Sequence, residues 1–190
     1  MNQTASVGGR ERLRLFCALR LPDGTVDELS LWQAEAFGRL DGVRVLGREQ
    51  LHVTLAFLGS RPAGELDSIG AELREAARAA EPATLTVKGY RETRSVGMLV
   101  LEDEGGRAAS LAVDLHERLE RLGVYERERR AWLPHLTVIR FRGHATRPRM
   151  TITTLPELGS FTPSDAAVYM STLRPSGAQY SVLESVGVGR

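Results

Sequence analysis

The stretch His52-Val53-Thr54-Leu55, inside "LHVTLAFLG" (51–59), returns as His135-Leu136-Thr137-Val138 inside "LPHLTVIRFRG" (133–143). The copies lie 83 residues apart in a chain of 190, close to half its length, and they use two of its four histidines. Both stretches are short apolar runs of the kind that form strands. Side chains alternate across a strand, so His52 and Thr54 share one face, as do His135 and Thr137. The spacers Val53 and Leu136 then point the other way, into a core. A strand that is polar on one face and apolar on the other suits the wall of a cleft.

Outward from these runs, the two halves echo each other. "LRLFCALRLP" (13–22) reads as a strand ending at the turn Pro22-Asp23-Gly24. Thr25 is placed to cap a helix, with Glu28 as its capping-box partner, and Leu29, Trp32, Ala36 and Leu40 form an apolar stripe. "VRVLG" (43–47) is a short strand, and 64–80 a second helix with Leu66, Ile69 and Leu73 on one face. Residues 83–93 and 95–103 read as strands, 107–123 as a third helix stopped by Gly123, and the C-terminal segment as a hairpin around "PSG". Each half has a strand, a helix and then a strand bearing His-x-Thr. The pattern predicts an α+β fold made of a duplicated unit, each copy giving one motif to a shared cleft.

The length fits a single domain over 12–190, preceded by a flexible, polar tail over 1–11. A net charge of +1 gives no global basic field of the kind that drives sequence-independent binding to nucleic acid. Lys88 is the only lysine, a bias attributable to overall composition rather than to phosphate binding. The single Cys17 excludes an internal disulfide and a cysteine-based metal site, which fits a reducing compartment. No run has the pattern of a signal peptide or the length of a membrane span, so a soluble, cytoplasmic monomer is expected, with no membrane partner.

Two imidazoles facing each other suit general acid–base work, one taking a proton while the other gives one. Two threonine hydroxyls between them can hydrogen-bond the non-bridging oxygens of a phosphate. That set describes a phosphodiester-cleaving site without metal or cofactor. No His-x-x-x-His, Cys-x-x-Cys or clustered acidic ligands suggest a metal centre, and the glycine pairs lack the setting of a phosphate-binding loop. His116, on the third helix, and His144, in a polar loop, read as surface residues.

The paired motifs, within "HVTLAFLG" and "PHLTVIR", together with the opening "RLFCALRLP", resemble the 2H phosphoesterase superfamily. Within it the chain is most similar to the bacterial and archaeal RNA 2′,3′-cyclic phosphodiesterases, also called 2′-5′ RNA ligases. The resemblance runs from about Arg12 to Val188. It implies a bilobal α+β fold, with antiparallel sheets flanking a central cleft, pseudo-two-fold symmetry and helices outside. It also implies opening of an RNA terminal 2′,3′-cyclic phosphate to a 2′-phosphate without metal or cofactor, with 2′-5′ joining as a further activity. Carried over, His52, Thr54, His135 and Thr137 are the catalytic four, with His135 as base and His52 as acid. Arg140, five residues after the second His, takes the place of a phosphate-binding arginine. On an ideal strand it would face away from His135, so an irregular strand end is required. Trp132 stands where an aromatic precedes the second motif and could stack on a base. Alternative readings are a phosphodiesterase for a small cyclic nucleotide or a 2′-5′ oligonucleotide, and a non-catalytic RNA-end-binding protein.

Overall fold

In a computed structural model, which describes residues 11–142, 152, 154–175 and 177–189, the two motif strands are neighbours. They are β3 (His52–Pro62) and β6 (His135–Phe141), paired antiparallel through Val53 and Leu136. Both spacers are fully buried, which draws the two halves together at their most apolar point. Around this pair the sheet extends symmetrically. On one side of β3 stand β1 (Arg12–Arg20), β8 (Asp165–Arg174) and β9 (Gly177–Val186). On the other side of β6 stand β5 (Val96–Glu104), β4 (Thr84–Glu92) and the short β7 (Ser160–Phe161), and β2 (Val43–Val45) also pairs with β6. All the pairings are antiparallel, and together they form a nine-stranded sheet.

The repeat read from the sequence is present. β1 leads through α1 (Asp23–Phe37) to its partner β3, and β5 leads through α3 (Arg107–Arg121) to its partner β6. A third helix, α2 (Leu66–Ala79), packs against α3 and the β8–β9 side. The helices share one apolar core with Leu15, Leu19, Leu55, Leu99 and Val138, all buried. That core lies on the face of β3 and β6 opposite the motif side chains.

Local details depart from the sequence reading at α1. The helix starts at Asp23 rather than after Thr25, with Pro22 as the flanking residue and Val26 N–H donating to the Pro22 carbonyl at 3.0 Å. Thr25 is buried within the first turn and caps nothing. Proline explains the earlier start, since its fixed φ and missing N–H suit a helix entrance. The stripe ends on Phe37, packed edge-on to Trp32 at 5.1 Å, while Leu40 lies beyond the helix and is partly exposed. The stop at Gly123 holds. Gly123 has φ +75°, its N–H donates to the Glu120 carbonyl, and Val124 N–H donates to the Leu119 carbonyl, which closes the last turn. Residues 1–10 of the expected tail and His144 lie outside the described residues. Among the described residues no helix is long and apolar enough to cross a membrane.

Candidate active site

One residue on either side of the Val53–Leu136 pair, the antiparallel register sets His52 across from Thr137 and Thr54 across from His135. All four side chains lie on the same side of the sheet, opposite the buried spacers, and all four are partly exposed. A local two-fold between Val53 and Leu136 exchanges the motifs. The sequence-predicted four are thus brought together.

Both strands then break their alternation at the same place. Against β1, Cys17 pairs with Ala56 and Ala18 with Thr54, so Leu55 has no register partner. Against β5, Gly97 pairs with Ile139 and Met98 with Thr137, so Val138 has none. Each is a β-bulge one residue after the motif threonine. The sequence signature is two consecutive buried aliphatics, Leu55-Ala56 and Val138-Ile139. An inserted residue reverses the alternation beyond it, so the residue five after each His comes to the cleft side. In β3 this is Phe57, half-exposed, and in β6 it is the exposed Arg140. The irregularity that Arg140 requires is therefore present, three residues after His135.

The two histidines sit in different surroundings. His135 is partly exposed, and its Nδ1–H donates to the Leu133 carbonyl at 2.9 Å. That bond leaves Nε2 as the free lone pair. His52 packs among aromatic rings, with centroids 4.9 Å from Phe16, 5.6 Å from Tyr169 and 5.4 Å from Tyr180. Its Nδ1 is closed off from solvent and makes no well-formed hydrogen bond. Burial pushes the pKa of His52 down to about 4, the nearby charges of His135 and Arg140 push the same way, and the Gln50 carbonyl opposes them.

Other residues of this face were not read from the sequence. Phe16 stacks on Tyr169 at 4.9 Å and on Phe57 at 6.0 Å, forming an aromatic shelf beside His52. Arg14 holds its guanidinium 5.0 Å from the centre of the Phe57 ring. Arg44 is the register partner of Arg140 and shares its face. The signal for the shelf was the alternation Arg14, Phe16, Ala18, Arg20 in β1, hidden because every residue from Leu15 to Leu19 is buried and only the flanking arginines are exposed. A cavity of about 790 Å³ opens from Thr54 and His135 past Phe57 and Trp132 toward Arg91 and Arg130. Trp132 lines it with a fixed orientation, its indole N–H donating to the Thr54 carbonyl at 2.9 Å.

His116 overturns its reading as a surface residue. It is 6% exposed, stacked on Tyr125 at 4.7 Å, and bonded through Nε2 to the Leu55 carbonyl at 2.8 Å. The helix turns it inward beside Leu115 and Leu119, and a partner for its ring offsets the cost of burial. Among the described residues, no three His, Cys, Asp or Glu side chains cluster as metal ligands.

A two-fold pair of His-x-Thr strands at the junction of two antiparallel half-sheets defines a 2H phosphoesterase. More particularly, the chain belongs to the 2′-5′ RNA ligase superfamily, whose family model matches residues 21–169. A protein of Methanothermobacter thermautotrophicus named RNA 2′,3′-cyclic phosphodiesterase is 29% identical over 181 residues, covering 91% of this chain and 97% of that protein. The crystal structure of TT0787 of Thermus thermophilus is similar at a TM-score of 0.76 and 27% identity, covering 93% of this chain and 98% of the other. The apo crystal structure of E. coli LigT shares the fold at a TM-score of 0.72 and 23% identity, over 95% and 99% of the two chains.

Proposed function

We propose that this protein opens RNA terminal 2′,3′-cyclic phosphates to 2′-phosphates by two-histidine acid–base catalysis that needs no metal or cofactor. The single observation that carries the reading is the two-fold register that sets His52, Thr54, His135 and Thr137 on one side of the β3–β6 junction. The activity named for the archaeal relative supports the choice of substrate.

In this mechanism His135 takes a proton from water through Nε2, the lone pair left free by its bond to Leu133. The water oxygen bonds to phosphorus, the bond to the ribose 3′-oxygen breaks, and His52 protonates that oxygen as it leaves. One water is consumed, and the proton gained by His135 returns to His52 through solvent. The aromatic shelf beside His52 favours this order, because the ribose that carries the leaving 3′-oxygen, and its base, find their packing surface there. His52 is nonetheless mostly neutral in the free protein at neutral pH, and the anionic phosphate must raise its proton affinity on binding. Thr54 and Thr137 donate to the non-bridging oxygens, Arg140 offsets the developing charge, and Trp132 offers a face to the nucleotide chain.

The test is to incubate the protein with an oligoribonucleotide ending in a 2′,3′-cyclic phosphate, and separately with a cyclic mononucleotide, and to identify the product isomer. Conversion of the oligonucleotide to the 2′-phosphate is expected. A 3′-phosphate product would refute the assigned leaving oxygen. Turnover of the mononucleotide alone would move the substrate to small cyclic nucleotides.

A further inference from the structure

Both bulge carbonyls are held by a buried polar side chain reaching from a helix. His116, on α3, holds the Leu55 carbonyl at 2.8 Å. Gln33, on α1 and only 1% exposed, donates from Nε2 to the Val138 carbonyl at 2.7 Å. Leu55 and Val138, each directly after its motif threonine, have no register partner on the bulged side, and neither does Leu58 further along β3. The helices are also equivalent, since each follows the first strand of its unit and precedes the motif strand. The holding is crossed: α1, from the first half of the chain, holds the second motif, and α3 holds the first.

Packing alone does not call for these side chains. Apart from Thr25 in the first turn of α1, the rest of each stripe is apolar, with Leu29 and Trp32 beside Gln33 and Leu115 and Leu119 beside His116. Burying an amide or an imidazole is unfavourable unless a partner is present. Both sites supply one at the same atom of the same motif position, and the Gln33 amide also donates a longer bond, 3.4 Å, to the Leu46 carbonyl. Neighbouring bonds reinforce the geometry: Leu46 N–H also donates to the Val138 carbonyl at 3.0 Å, and the ring of His116 is stacked on Tyr125.

We propose that Gln33 and His116 are positioning residues of the cleft. By fixing the carbonyl that follows each motif threonine, they hold the reversal of alternation that turns Arg140 and Phe57 toward the substrate. Gln33 acts through Arg140, and His116 acts through Phe57. The proposal rests on the cleft being a phosphate site.

The experiment is a double-mutant cycle read out by binding as well as turnover. Affinity for inorganic phosphate is measured by calorimetry for wild type, Gln33→Met, Arg140→Ala and the double variant, with kcat/KM on the cyclic-phosphate RNA and a thermal melt for each. Methionine keeps the length of Gln33 and removes the donor. Gln33→Met should weaken phosphate binding about tenfold in the wild-type background and less than twofold once Arg140 is gone, because the two act as a unit. Equal losses in both backgrounds, or wild-type affinity in Gln33→Met, would overturn the proposal. If Gln33→Met does not fold, the second arm decides, using His116→Leu with and without Phe57→Ala. There kcat/KM should fall severalfold only when Phe57 is present, and His116→Gln, which retains a donor, should recover it. Additive losses, or no recovery by His116→Gln, would count against the proposal. Phosphate binding without turnover would refute the proposed function yet leave the cycle readable. No phosphate binding by wild type would overturn both.

Discussion

Acidification should destabilise this protein through His52 in a way that one substitution removes. Burial among Phe16, Tyr169 and Tyr180 lowers the His52 pKa from 6.5 to about 4. Between those values the unfolded chain binds a proton that the folded chain refuses, so stability falls as pH falls through this window. The loss begins below about pH 6.5, is complete near pH 4, and grows no further below it. At 1.36 kcal/mol per pH unit, the drop corresponds to a ceiling of roughly 3 kcal/mol, and solvent at the cleft edge reduces it to roughly 2–3 kcal/mol. The perturbation is His52→Gln, which cannot titrate. Urea unfolding of both proteins is followed at intervals from pH 7.5 to 4. The difference between their unfolding free energies should move by this amount in favour of the variant as the pH is lowered. Parallel curves would refute the claim that His52 is held neutral by its surroundings.

The same burial bears on turnover. The acid-side limb of kcat/KM, which reports the free protein, should fall near pH 4, and that of kcat should lie higher because bound phosphate restores the proton affinity of His52. Coincident limbs would mean that the substrate leaves this ring unchanged. Thr54→Ala and Thr137→Ala should each cost roughly ten- to a hundredfold in kcat/KM, as a lost hydrogen bond to a charged group is worth about 1.5–3 kcal/mol. Wild-type kinetics in both would assign the hydroxyls to the fold. Activity should survive excess EDTA, and loss of most of it with recovery on adding one divalent ion would overturn the metal-free mechanism. Gly97→Ala should destabilise the fold by about 1–3 kcal/mol, because a methyl there meets the Tyr90 hydroxyl and Ile139 beside the second bulge. An unchanged melting curve would show that the bulge has room to give.

Much of this site could be read directly from the chain. His-x-Thr occurs twice in apolar strand contexts, so the four polar residues and their shared face follow from alternation alone. The three helices were legible because their stripes bury leucines at helical spacing. What was hidden depends on long-range register. A bulge is defined by the partner strand, so Leu55 and Val138 could be recognised only once β1 and β5 were in place. Two adjacent aliphatics after each threonine were its only local trace. The roles of Gln33 and His116 were hidden too, because a polar residue on an apolar stripe has no visible partner until the opposite half of the chain supplies a carbonyl. The dipeptide β7 was too short to show a period, and the start of α1 was set by Pro22 rather than by Thr25.

The central claim is that the two-fold pair of histidines performs the chemistry, and the most direct test measures kcat/KM on a 2′,3′-cyclic-phosphate RNA for wild type, His52→Ala and His135→Ala. General acid–base catalysis contributes about 10²–10⁴-fold per group, so each variant should lose at least a hundredfold while still binding phosphate. Either variant turning over within a few-fold of wild type would contradict the account.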